Sequence, residues 1–162
     1  MGLLTTLEKC ASIEETVGEI YRRLAEAVAC DGLLRKIWRQ MAQDEEAHAA
    51  QLRMARRMAK VADLTESRVA AGEVELLARR ALDVLAEITT ERPSVDGALL
   101  LSVGLEQEFL RLHAPNSLSL QDPGLRALFL SLSRADGEHL QALQEYRSDR
   151  SALLAEDRGR AG

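Results

Sequence analysis

Four long amphipathic segments of this chain each carry an acidic residue on or beside the apolar stripe, where a helix meets its neighbours: Glu14, Glu45, Glu106 and Asp136. Two of these acids are followed three residues later by histidine, in Glu45-Glu46-Ala47-His48 and Asp136-Gly137-Glu138-His139. Residues i and i+3 project from one helix face, so Glu45/His48 and Asp136/His139 can each aim two ligands at one spot. A carboxylate and an imidazole from each of two helices, with one further acid from each of two others, is the construction of a dimetal site inside a helical bundle. This restricts the fold to one that brings all four segments face to face.

The segments read as helices. The first spans about 5–30 with stripe Ile13, Val17, Ile20 and Leu24, and Glu14 and Tyr21 beside it. Asp31-Gly32 marks a turn, and a second helix over about 33–60 has stripe Ile37, Met41, Glu45, His48, Leu52 and Ala55. The polar stretch Val61 to Ala71 reads as a connection. An extra helix over about 73–88, through Leu76, Leu77, Ala81, Leu82 and Leu85, is broken at Glu91-Arg92-Pro93-Ser94. The next helix, about 95–113, has stripe Leu99, Val103, Glu106, Leu110 and His113, and Pro115 to Gln121 reads as a loop. Asp122-Pro123 supplies an N-cap and first-turn pair for the last helix, about 123–150, with stripe Phe129, Leu132, Asp136, His139, Leu143 and Tyr146. The charged tail 151–162 is expected to fray. Two hairpins joined by a long crossover predict an all-α, ferritin-like four-helix bundle, with one domain over residues 1–162.

The halves repeat. Glu45 and Asp136 are 91 residues apart, as are His48 and His139, while Glu14 and Glu106 are 92 apart, as are Tyr21 and His113. The same offset selects Glu14 over Glu15, whose counterpart is Gln107. Ser12 and Glu15 also form a capping-box pattern, which would need a later helix start.

Composition agrees with this reading and removes others. The chain has 162 residues, 46 % hydrophobic and 29 % charged, with three Pro and ten Gly, a globular mixture rich in helix formers. A net charge of −5 gives no reason to expect nucleic acid or an anionic membrane as partner. No apolar run is long enough to span a bilayer. With no signal-peptide core and a myristoylation match, Met1-Gly2 with Thr6, that is too short and common to weigh, a cytoplasmic protein is expected. Cys10 and Cys30 are isolated, which favours reduced thiols over a disulfide or a zinc knuckle.

Four carboxylates in a bundle core need compensation for their lost solvation, and two divalent cations match their charge. Oxygen ligands with imidazole suit iron or manganese, and zinc also binds such sets. In this reading Glu45 and Asp136 bridge two metals, Glu14 and Glu106 are terminal carboxylates, and His48 and His139 are terminal nitrogen ligands. Tyr21 is either a core residue or a donor beside the ligands. His113 offers a seventh ligand or, with Pro115 close by, simply ends its helix. Asp44, Glu46, Glu138 and the run Arg53 to Arg57 read as solvated charge, and Trp38 fills a core or an interface.

The run Ile13-Glu14-Glu15-Thr16-Val17-Gly18-Glu19-Ile20-Tyr21, with Asp44-Glu45-Glu46-Ala47-His48, Glu106 and Asp136-x-x-His139, resembles the rubrerythrin-like branch of the ferritin-like superfamily over about residues 5–146. The resemblance implies a di-iron-type site, redox chemistry on hydrogen peroxide or O2, and a homodimer. Three departures stand out. The family's C-terminal rubredoxin domain has no counterpart here, so an external electron donor, rubredoxin-like or a flavoprotein, is expected. Phe109 occupies the place of an additional carboxylate three residues after the third acid, which weakens the case for peroxide turnover through an iron shift. Asp136 stands where Glu is usual. Non-enzymatic iron handling or ferroxidase-type storage, and a metal-free interaction bundle, remain alternatives.

Overall fold

A computed structural model describes residues 2–28, 31–62 and 71–160, and the side chains of those residues except 117–119 and 153–160. Cys30 and most of the connection between Val61 and Ala71 lie outside the described residues. Five helices, and no strand, occur among the described residues: α1 (Leu3–Ala27), α2 (Gly32–Val61), α3 (Ala71–Thr90), α4 (Val95–Ser119) and α5 (Pro123–Arg160). The all-α expectation holds. None of these helices is long and apolar enough to cross a membrane.

Short polar side chains start three of the helices by accepting from otherwise unpartnered N–H groups. Asp31 accepts from Leu34 N–H at 3.0 Å, Ser94 from Gly97 N–H at 3.1 Å, and Asp122 from Leu125 N–H at 2.8 Å. Helix α1 begins at Leu3, so Ser12 lies mid-helix and its hydroxyl donates to the Glu8 carbonyl at 3.1 Å. The Ser12/Glu15 capping box is therefore not formed. Glu15 points outward and accepts from Arg53 of α2 at 2.8 Å.

Contacts between helices fix their directions. Arg53 meets Glu15 and Arg56 reaches the Leu4 carbonyl, so α1 and α2 run antiparallel. Asp31 pairs with Tyr146 and Asp44 with His139, which makes α2 antiparallel to α5. Asp96 with Arg150, and His113 with Asp136, make α5 antiparallel to α4. Tyr21 with Glu106, and Glu14 with His113, do the same for α4 and α1. The four helices close a ring in the order α1, α2, α5, α4. Helix α3 lies on the outside of α1 and parallel to it, joined by Lys9–Glu75 near one end and Arg23–Thr89 near the other.

The core fills the ring. Ile13, Val17, Ile20 and Leu24 are buried as expected, as are Phe129, Leu132, Leu143 and Tyr146 of α5. Trp38 is wholly buried, and its indole N–H donates to Ser102 Oγ at 3.0 Å, which satisfies the one polar atom that burial would otherwise strand. Gly18 lets α1 approach α2 closely: a Cβ there would stand 3.4 Å from both the Ala42 carbonyl oxygen and Glu45 Cβ.

Three boundaries and faces differ from the sequence reading. Helix α4 does not end at His113 but continues through Pro115 to Ser119. Pro115 is exposed, as is Arg111, whose carbonyl loses its partner N–H to the proline ring and can be met by water. Asn116 is buried and its side-chain amide donates to the Leu112 carbonyl, which reinforces the turn around the proline. Helix α5 runs on to Arg160, past the expected fraying point. On α3, Val74, Leu77, Ala81 and Val84 are buried, whereas Leu76 and Leu82 are 66 % and 58 % exposed. Having the ring on one side only, α3 buries one narrow stripe.

Candidate metal centre

The acids named from the sequence converge at mid-height of the ring. Glu14, Glu45, His48, Glu106, Asp136 and His139 are all buried, as is His113. Each sits on a helix whose neighbouring apolar residues point to the core, so the stripe that packs the bundle also carries these side chains inward.

Two groups of side chains could each hold a metal ion: Glu14, Glu45 and His48, and Glu45, Glu106 and His139, with the donor atoms of each group within 4.8 Å of one another. Glu45 belongs to both. Its Oε2 lies 2.8 Å from His48 Nδ1, and its Oε1 lies 3.3 Å from His139 Nδ1. His139 Nδ1 also stands 3.5 Å from Glu106 Oε2. Ligands on one ion at bond lengths of about 2.1 Å stand about 3 to 4 Å apart, so the two His139 spacings suit shared coordination, while the 2.8 Å His48 contact is a hydrogen bond.

Both oxygens of Glu14, Glu45 Oε1, Glu106 Oε2, His139 Nδ1 and His113 Nε2 are buried without a hydrogen-bond partner. Stranding so many polar atoms in one core is costly unless something else meets them. Their chemistry, carboxylate oxygen and imidazole nitrogen, fits a hard or borderline divalent cation.

The protons in the metal-free site follow from burial and neighbours. Burial pushes the Glu14 carboxyl well above the usual range, and the Glu45 charge beside it adds to this. Burial likewise raises Glu106, to about 7, against the opposing pull of the nearby His139 imidazole. Burial would also raise Glu45, but the His139 imidazole close to it and the hydrogen bond with His48 outweigh this and bring the group down to about 2. Burial disfavours a charged His139, yet Glu106 and Glu45 hold its proton up to about 11; His48 is shifted upward in the same way by Glu45. Without metal, protonated histidine takes the place of a cation between the carboxylates.

Three contacts orient this set from outside. Tyr21 Oη donates to Glu106 Oε1, which leaves Oε2 facing His139. Burial and the nearby carboxylates raise the Tyr21 phenol well above its ordinary value, so it keeps its proton. Asp44 Oδ2 lies 3.2 Å from His139 Nε2 and fixes the ring with Nδ1 directed inward. His113 Nδ1 lies 2.9 Å from Asp136 Oδ2, while its Nε2 is 3.6 Å from Glu14 Oε1.

Asp136 is the departure. The sequence pairs it with His139 and gives it a bridging place matching Glu45. In the structure it belongs to neither metal-capable group, and its close partner is His113. The His139 clamp closes instead on Glu45 and Glu106. Asp44, read as solvated, was the orienting residue missed: it lies one position off the apolar stripe, and its partner is 95 residues away on α5. The chain matches no known protein-family model, no curated protein and no solved structure.

Proposed function

We propose that this chain is a non-haem dimetal carboxylate protein of ferritin-like architecture, similar to rubrerythrins. In this reading it is an oxidoreductase that acts on hydrogen peroxide or O2, with iron as the principal metal and electrons from an external donor. The observation that carries the reading is Glu45, a buried carboxylate common to two ligand groups, each completed by a histidine and a further acid. The ring of α1, α2, α5 and α4, with α3 between the two helical pairs in sequence, supports the architecture.

A bound dimetal pair would supply two-electron redox chemistry and Lewis acidity. Glu14, Glu45 and His48 would hold one ion, and Glu45, Glu106 and His139 the other. The protein's own contribution is to fix the donors and shape access to them. Tyr21 holds a proton at Oη against Glu106 Oε1, which commits Oε2 to the centre. Asp44 holds His139 by its outer nitrogen. On the α1/α4 side Glu14, Tyr21, Glu106 and His113 are fully sealed, while His48 and His139 each keep 7 % exposure on the α2/α5 side. Small oxidants and metal ions would enter there, past the half-exposed Asp44.

Elemental analysis after anaerobic Fe2+ loading tests the reading. Two ions per chain are expected, followed by oxidation on addition of peroxide or O2. A protein that is isolated metal-free and takes up no Fe2+ would overturn it. A second reading, iron handling without turnover, is favoured by Phe109, a buried ring where rubrerythrins carry an extra carboxylate. Ferrous oxidation without catalytic peroxide consumption would select it.

A further inference from the structure

The two halves of the site differ at two positions that touch each other. By the 91- and 92-residue offsets, Asp136 corresponds to Glu45 and His113 to Tyr21. In one half a tyrosine and a longer acid are used. In the other an imidazole and an acid one methylene shorter stand in contact, with Nδ1 2.9 Å from Oδ2. His113 is fully buried, and its ring is held between Phe109, at 5.4 Å between centroids, and Phe129, edge-on at 5.6 Å. The aromatic pair fixes the imidazole plane, which in turn fixes where its nitrogens point.

We infer that His113 is a positioning residue that engages Asp136 and keeps it from ligating either ion, so that Glu45 is the one carboxylate shared by both ion positions. The inference rests on the dimetal reading above. Nδ1 faces a carboxylate oxygen and therefore carries the hydrogen that binds Asp136. That bond turns Asp136 Oδ2 to α4, and Asp136 belongs to neither ligand group although its charge still bears on Glu14 and His48. The shorter acid leaves room for the imidazole that a glutamate would occupy. Tyr21 has one polar atom and orients one acid; His113 has two, and its Nε2 faces Glu14 at 3.6 Å without bonding it.

Co2+ titration under anaerobic conditions, followed by visible absorption and calorimetry, tests this with a double-substitution cycle. In the unsubstituted background Asp136→Asn is expected to alter Co2+ affinity by less than about threefold. In the His113→Phe background, where Asp136 is released, the same change is expected to weaken binding by about 10- to 100-fold, the range typical of ligand and outer-shell losses. His113→Gln, which keeps a donor for Asp136, should behave as the unsubstituted protein. If His113→Phe does not fold, the slowly exchanging imidazole N–H resonance of the unsubstituted protein decides: it should be present and should shift upfield in Asp136→Asn, whose neutral amide oxygen is a weaker acceptor than the carboxylate. A large Asp136→Asn effect with His113 in place, or a resonance insensitive to that change, overturns the inference alone. Absence of Co2+ uptake by the unsubstituted protein overturns the dimetal reading and this inference together.

Discussion

Tyr21 on α1 donates a hydrogen bond to Glu106 on α4, and the symmetry-related pair, His113 on α4 and Glu14 on α1, faces across the same gap at 3.6 Å. Each half of the chain thus places a side chain against the buried acid of the other half, but only Tyr21 bonds the acid it faces. The repeat sets a phenol in one place and an imidazole in the equivalent other.

Removing the phenol tests the first of these contacts. Tyr21→Phe leaves Glu106 Oε1 buried and unpartnered, and should cost about 1 to 3 kcal/mol of stability in the metal-free protein. Urea denaturation with and without metal measures it, and the deficit should shrink when metal is bound.

The shared carboxylate predicts unequal losses. Glu45→Ala removes a donor from both groups and should abolish uptake of both ions, whereas His48→Ala should reduce the stoichiometry from two to one. Metal content of each variant after loading and desalting separates the cases.

Asp44→Asn weakens the acceptor that fixes His139 by its outer nitrogen. Metal affinity should fall by about 10- to 100-fold while the fold is unchanged. An unaltered binding isotherm would remove Asp44 from the site.

The pH dependence of stability should reverse with metal. Glu106 is raised from 4.5 to about 7, and burial raises Glu14 in the same direction. Between 4.5 and about 7 the folded state binds more protons at Glu106 than the unfolded state, so the metal-free protein loses stability as pH rises. His139, raised from 6.5 to about 11, adds a loss of the same sign across that interval. Glu45, lowered from 4.5 to about 2, acts oppositely, and its contribution is lost as pH falls through that range. The metal-free protein should therefore be most stable near pH 5. Metal binding needs deprotonated ligands, so affinity rises with pH. The difference in melting temperature between loaded and metal-free protein should widen from pH 5 to pH 8.

Gly18 governs how closely α1 meets α2 beside Glu45. Gly18→Leu should force the helices apart, destabilise by about 1 to 3 kcal/mol and weaken metal binding. Gly18→Ala meets its neighbours at 3.4 Å and should be near neutral, since the gain in helix propensity offsets the tight contact. Thermal melts of both variants provide the comparison.

The sequence by itself determined the helices and, outside α3, where Leu76 and Leu82 are exposed, most of the residues that face inward, because helical periodicity is a local property that apolar spacing records. It also singled out Glu14, Glu45, His48, Glu106 and His139: charge on an apolar stripe is costly enough to need a reason, and the 91- and 92-residue offsets supplied one. It erred where a local signal was overridden. Pro115 reads as a stop, but its ring faces solvent and Asn116 braces the turn from inside. Only the tertiary structure decided partners across helices, because those depend on relative height and rotation that spacing within one helix does not encode. Asp136 shows the difference most clearly. Three residues before His139 it reads as that histidine's clamp partner, yet a neighbouring helix presents an imidazole 2.9 Å away, and the acid turns to it.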